Sequence, residues 1–236
     1  MRNYYGWRAL LVMLLLALGC RLGIAQIGPR YVLELSPGAA SSTASRGTVQ
    51  TLGGGQTLLR YQDLSVLVLH ADALADDQGD SWPQADLAIV TATRNWLAGC
   101  KALAEAAARR KLMLIVVEQD GAVEADPPCY PLHAWDTLYL RKGGTRLRTT
   151  AMAGQAGVPG VGGFMLELGG THLNYRVYLS AEAERADALL ARLPGADMVL
   201  LQDGATQRLA TRRHGTDAAD LLPEGDSPVA FAARRR

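Results

Sequence analysis

The sequence predicts an α/β chain built as two mixed β-sheets packed together, with helices on the outside. Three observations predict it. Residues 86–117 read strand, helix, strand, and both strands are apolar enough to be buried, which marks a parallel pair joined by a crossover helix. Residues 137–201 pass through four strand candidates and an amphipathic helix into a last buried strand. The order of hairpin strands, helix and buried strand thus occurs twice. Such duplication suits two stacked sheets better than one open, doubly wound sheet.

Residues 31–35 alternate apolar and polar and read as a strand. Residues 37–47 (PGAASSTASRG) are small and polar, a linker or wide loop. Candidates at 57–61 and 65–70, joined by Gln62-Asp63-Leu64, give a hairpin signal. Gly53-Gly54-Gly55 opens no helix, so it reads as a tight turn and not as a dinucleotide fingerprint. DLAIV at 86–90 is a buried strand. A helix follows over 95–110, with Leu97, Cys100, Lys101, Leu103, Ala104 and Ala107 near a period of 3.6. LMLIVV at 112–117 is the next strand, and 121–131 is proline-rich and irregular. Strands are expected at 137–140, 145–150, 164–168 and 173–179, with turns at Gly143-Gly144 and Gly169-Gly170. A helix over 181–193 is stopped by Pro194-Gly195. MVLL at 198–201 is the last buried strand. Residues 217–222 are expected as a short helix and 223–236 as a flexible tail.

The chain has 236 residues, 49% hydrophobic and 20% charged, enough for a packed core. Its 24 basic and 23 acidic residues leave a net charge of +1, so nothing points to nucleic acid as a partner. Three cysteines exclude a disulfide-dense scaffold and a four-cysteine zinc site. P-loop, G-x-S-x-G and C-x-x-C motifs are absent.

Residues 9–19 are unbroken apolar sequence behind Arg2 and Arg8. The run is shorter than the roughly 20 residues that cross a bilayer, and it has the size and polarity of a signal-peptide core. Ala17-Leu18-Gly19-Cys20 resembles a lipobox, which would lipidate Cys20. Gly23-Ile24-Ala25 offers ordinary cleavage before Gln26. An uncleaved anchoring segment is the third reading. Each places the domain in the bacterial envelope, periplasmic or held at a membrane, with membrane contact only through the N-terminus. There Cys100 and Cys129 are candidate disulfide partners, with two buried free thiols as the alternative. The chain divides into a signal segment (1–25), an N-terminal strand and linker (26–47), a main domain (48–222) and the tail (223–236).

Several segments resemble the metallo-β-lactamase superfamily, in particular its lactonase-like branch with N-acyl-phosphatidylethanolamine phospholipase D. Leu52-Gly53-Gly54-Gly55-Gln56 and the strands after it resemble the family's opening hairpin. Ala85-Asp86-Leu87-Ala88-Ile89-Val90-Thr91 resembles the strand leading into its metal loop. Ala134-Trp135-Asp136-Thr137 is similar to its "WGDT" turn. Gly162-Gly163-Phe164-Met165-Leu166-Glu167-Leu168, Arg176-Val177-Tyr178-Leu179-Ser180 and Ala196-Asp197-Met198-Val199-Leu200-Leu201 resemble the strands around its Gly-Asp-Thr motif. The resemblance covers roughly residues 48–222 and implies a four-layer αββα sandwich.

It also implies where metals would sit. The family holds two metals with H-x-H-x-D-H directly after the strand at 86–90, and a metal-bound hydroxide attacks the substrate. Here the ligand positions are Ala92, Arg94, Trp96 and Leu97, and none supplies imidazole or carboxylate. The family's next histidine falls in 152–155, where there is none. The bridging aspartate aligns with Glu182, equally readable as an acid in the first turn of a helix. His214 lies near the last family histidine and is equally readable as a surface residue. His70 with Asp72, and the acids Asp76, Asp77 and Asp80, form a further cation candidate or a solvated loop.

The expectation is therefore a catalytically degenerate member of this fold, exported and acting by binding or scaffolding, with no cofactor and no metal. Its ligand would be an unknown small molecule or an envelope protein. Arg94, Trp96, Glu182 and His214 are the candidate ligand-binding residues, Arg94 and Trp96 offering an anion or stacking contact. The alternative is a hydrolase of the same fold using Glu182, His214 and His70 or Asp72. The sequence leans away from an enzyme.

Overall fold

The computed structural model describes residues 29–37, 46–71, 82–91, 97–117, 129–154, 160–169, 173–182, 184–203, 206–212, 219–222, 227–232 and 234–235. Strands are β1 (Tyr31–Leu35), β2 (Arg46–Gly53), β3 (Gln56–Tyr61), β4 (Leu64–His70), β5 (Leu87–Thr91), β6 (Met113–Val117), β7 (Cys129–Leu132), β8 (Thr137–Lys142), β9 (Thr145–Ala153), β10 (Val161–Gly169), β11 (Leu173–Ser180), β12 (Met198–Asp203), β13 (Thr206–Arg212), β14 (Ala219–Leu221), β15 (Val229–Ala232) and β16 (Arg234–Arg235). Helices are α1 (Leu97–Arg109) and α2 (Ala186–Arg192).

One sheet runs β1-β8-β9-β10-β11-β12-β13-β14, with β16 added on β11. The other runs β15-β2-β3-β4-β5-β6-β7. Both are mixed. Hairpins pair antiparallel, whereas β4-β5, β5-β6 and β11-β12 pair parallel. The crossover β5-α1-β6 is the unit expected from residues 86–117, and β11-α2-β12 repeats it in the second half.

The two sheets meet through one apolar layer. Leu59, Val66, Val68, Leu87, Ile89 and Ile115 from one face Leu147, Phe164, Leu166, Val177, Leu179 and Leu200 from the other. On the far side of the seven-stranded sheet, Leu103, Ala106 and Ala107 of α1 cover Leu67, Leu69, Ala88 and Val90. On the far side of the other, Ala186, Leu189 and Leu190 of α2 cover Tyr178, Val199 and Leu201. Helix, sheet, sheet, helix is the four-layer αββα sandwich that the sequence predicts. Strand alternation explains it: odd positions of β5 point to the shared core and even ones to the helix, so a strand buried on both faces is apolar throughout.

Several local expectations need correction. The proline-rich stretch ends in β7, a short parallel edge strand that tolerates Pro131 because edges carry fewer ladder bonds. Residues 219–221, expected in a helix, are strand β14. Within the expected tail, β15 pairs with β2 and carries Phe231 into the core. Helix α2 begins at Ala186, five residues later than expected, because Ser180 Oγ donates to Glu182 O at 2.8 Å and Ser180 Oγ also receives Glu182 N–H at 3.3 Å, a local turn that competes with helix. Glu182 is thus not in the first turn of a helix. The three glycines at 53–55 all have positive φ (77°, 55° and 69°), and they make the β2-β3 turn that the sequence suggests.

Candidate functional site

Parallel strands bring their C-terminal ends to one edge of a sheet, and the two sheets here share such a rim. His70 pairs with Thr91 where β4 and β5 end. Gln202 pairs with Gln207 where β12 turns into β13. Thr57 Oγ1 of β3 donates to Gln207 Oε1 at 2.5 Å and so joins the two sheets across this rim.

Five side chains close the core there. In each strand they continue the inward parity: Val66-Val68-His70, Leu87-Ile89-Thr91, Tyr61-Leu59-Thr57, Met198-Leu200-Gln202 and Leu209-Gln207. All five are buried, and buried polar groups need partners. His70 Nδ1 lies 3.1 Å from Thr91 Oγ1, and that hydroxyl reaches back to Leu69 O at 3.4 Å, which gives Nδ1 the donor role. Thr149 of β9, also fully buried, has no hydrogen-bond partner for its hydroxyl among the described residues.

The family resemblance implies two metals at this rim. The donor set does not fit them. It holds one imidazole, itself bonded to Thr91, and otherwise hydroxyls and neutral amides, whereas catalytic zinc takes three protein ligands of imidazole, thiolate or carboxylate type. Among the described residues no three His, Cys, Asp or Glu side chains converge.

Arg94, Trp96 and His214 lie outside the described residues, as do Ala92, Cys20 and the acids at 72–80. β5 ends at Thr91, at the rim, three residues before Arg94 in the sequence. β13 runs the other way. Thr211 pairs with Met198 at the start of β12, and Arg212 Nη2 donates to Leu190 O (2.6 Å) and Leu193 O (3.0 Å) at the end of α2. The chain therefore leaves β13 at the end opposite the rim, two residues before His214. Glu182 is half-buried and acts electrostatically on the Tyr178 hydroxyl, on the α2 side of its sheet. Burial pushes Tyr178 up to about 12, against the pull of Arg192 and with help from Glu184 and Glu182. The described residues thus place the end of β5 at the rim and do not bring Glu182 to the inward-facing polar set.

Cys129 is a half-buried thiol with no disulfide partner among the described residues, and burial raises its pKa, its backbone hydrogen bond opposing. The side chain of Cys100 lies outside the described residues. A cavity of about 440 Å³ opens beside α2, lined by Glu184, Arg185, Asp187, Gln202 and Arg208 among others. It sits on the helix side of the sheet.

Next to the rim, the turn at Ala134-Trp135-Asp136 is pinned to the N-terminal strand. Arg30 Nη1 donates to Asp136 Oδ2 and His133 Nδ1, both at 2.6 Å, and His133 N–H donates to the same carboxylate at 2.9 Å. Trp135 is held at φ 75° and is exposed. Burial alone would raise the Asp136 carboxyl, but the Arg30 hydrogen bond and charge, with His133, hold it below the usual range. A lowered folded pKa means stability that is present above the unfolded value and lost as pH falls through the folded one. Asp136→Asn is expected to cost about 1 kcal/mol at neutral pH and nothing once the wild-type carboxyl is protonated. Paired urea melts at pH 7 and in strong acid measure this.

No family model matches the chain, and no curated protein is similar enough to count as a relative. Solved structures with a related chain course include a subclass B3 metallo-β-lactamase with an active-site glutamic acid, at 11% identity over 65% of this chain and 77% of that one, TM-score 0.35. Another is a subclass B3 metallo-β-lactamase from a soil metagenome library, at 12% identity over 72% and 80%, TM-score 0.35. At those scores the neighbours add no argument, and the αββα assignment rests on the strand order and layers of this chain itself.

Proposed function

We propose that this chain is an exported protein of the αββα sandwich type that has lost the metal chemistry of the fold and works by binding a ligand or partner in the bacterial envelope. The observation that carries the reading is the rim. The inward side chains where a catalytic centre would draw its ligands are Thr57, His70, Thr91, Gln202 and Gln207, and at least four of them hydrogen-bond within that set. Such a set offers neutral donors and acceptors, and the sequence just after Thr91 contains Arg94 and Trp96, residue types that suit an anion or a planar group. The N-terminal apolar run supports export. No helix among the described residues is long and apolar enough to cross a membrane.

Metal analysis tests the reading. Purified full-length protein is expected to carry no stoichiometric zinc, iron or manganese, and chelators to leave its melting temperature unchanged. One or more equivalents of metal, lost on His70→Ala or Glu182→Ala, would overturn it in favour of a hydrolase.

A further inference from the structure

Helix α2 covers only part of its sheet. It packs over Tyr178, Val199, Leu201 and Ala210, on β11 to β13. Apart from Met152 of β9 and Met165 of β10, which pack against that cluster, no described element covers the outer face of β1, β8, β9 and β10. Cross-strand register sorts that face into two rows. One runs Val32, Tyr139, Arg148, Glu167, Arg176, and the other Glu34, Arg141, Arg146.

The first row is largely self-satisfied. Arg148 sits over the Tyr139 ring at 5.6 Å, and Arg148 and Arg176 both pair with Glu167, at 3.4 and 2.6 Å. The second row is not. Arg141 and Arg146 stand directly opposite each other on neighbouring strands, both are exposed, and neither forms an ion pair among the described residues. Like charges directly opposite destabilise a sheet. Beside them Val32 and Tyr139 are apolar or aromatic and exposed.

The chain entering this face comes from the N-terminal apolar run. Nine residues (20–28) separate Gly19 from Pro29, and β1 is the edge strand of the face. Nine residues reach about 30 Å at full extension. An anchor at residues 9–19, or a lipid on Cys20, therefore keeps this edge within that distance of the bilayer and raises the local concentration of headgroups around it.

We propose that the Arg141/Arg146 face of the β1-β8-β9-β10 sheet docks on the anionic phospholipid surface of the membrane that holds the N-terminus. This rests on the anchored forms of the export reading. Anionic headgroups supply the charge that the arginine pair lacks, and Tyr139 and Val32 suit the interface between headgroup and water. The face then fixes the orientation of the domain relative to the bilayer.

Full-length protein is titrated with two kinds of vesicle, phosphatidylcholine alone and an equal mixture with phosphatidylglycerol, at low salt. Binding to the neutral vesicles reports the N-terminal anchor. The ratio of the two affinities reports charge recognition. Each basic side chain at an anionic surface contributes about fivefold, so Arg141→Gln/Arg146→Gln is expected to lower the ratio by about 25-fold while neutral-vesicle binding stays unchanged. The charge-matched control Arg46→Gln/Arg60→Gln, exposed on the other sheet, is expected to leave the ratio nearly as it was. An unchanged ratio in the first variant, or an equal fall in both, overturns the proposal, and so would salt-independent binding or an acidic soluble protein as the true occupant. Loss of neutral-vesicle binding in the wild type would instead sink the anchored reading.

Discussion

Phe231→Ala is expected to lower stability by about 3 kcal/mol, the lower end of the range for buried phenylalanine because the residue sits on an edge strand that can partly relax. Its ring stacks between the two sheets, 5.9 Å from Tyr61 and 4.4 Å from Tyr175, and it is nearly inaccessible to solvent. In a chain of this size that loss amounts to a fall in melting temperature of roughly 6–12 °C. Gly47 lies under the ring: a Cβ there would stand 2.3 Å from Phe231 Cζ and 2.6 Å from Arg60 O. Gly47→Ala is thus expected to cost less in the Phe231→Ala background than alone. A melt of Phe231→Ala that coincides with wild type would show that β15 does not belong to the cooperative core.

Asp86→Ala is expected to cost about 3 kcal/mol. The carboxylate accepts from Lys142 Nζ through both oxygens, at 2.8 and 2.9 Å, and its Oδ2 also accepts from Ser65 N at 2.8 Å and Ser65 Oγ at 3.0 Å. Lys142 belongs to β8, in the opposite sheet, and its side chain is 11% exposed. Its Nζ also donates to Asp63 O. Removing the acid strands a buried ammonium, which costs more than the pair itself contributes. The double variant Asp86→Leu/Lys142→Met is expected to regain most of the loss. Denaturant melts of the two single variants and the double variant yield the coupling energy, and additivity would refute a direct pair.

The rim shows how far the sequence could be read. Thr57, Thr91, Gln202 and Gln207 escaped notice because none is a usual catalytic residue. Their signal was nonetheless present. Each sits at the inward parity of a strand whose other inward positions are apolar, and a polar residue at that parity marks a buried polar site or a strand end. His70 stood out in the sequence as a partner for Asp72, and in the fold it is Thr91 that it meets. The pairing of β4 with β5, twenty-one residues apart, decides this, and local sequence carries no trace of it.

The sequence by itself determined the layered architecture, because hydrophobic periodicity is local. Short apolar runs flanking an amphipathic helix can only be buried strands joined by a crossover, and two such units need two sheets. It likewise settled that positions 92, 94, 96 and 97 carry no imidazole or carboxylate. Tertiary structure alone decided which chain ends face which. β13 pairs antiparallel with β12 and carries the chain away from the rim before His214, and β15 returns from residue 229 to pair with β2. The hairpin itself is local, but the end of the sheet it occupies is set by the parallel pairing of β12 with β11, and β15 must find β2 at the other end of the chain. Their stability comes from burial that exists only once the sheets have closed, as with Phe231, whose strand of four residues would not persist without the two tyrosines around it.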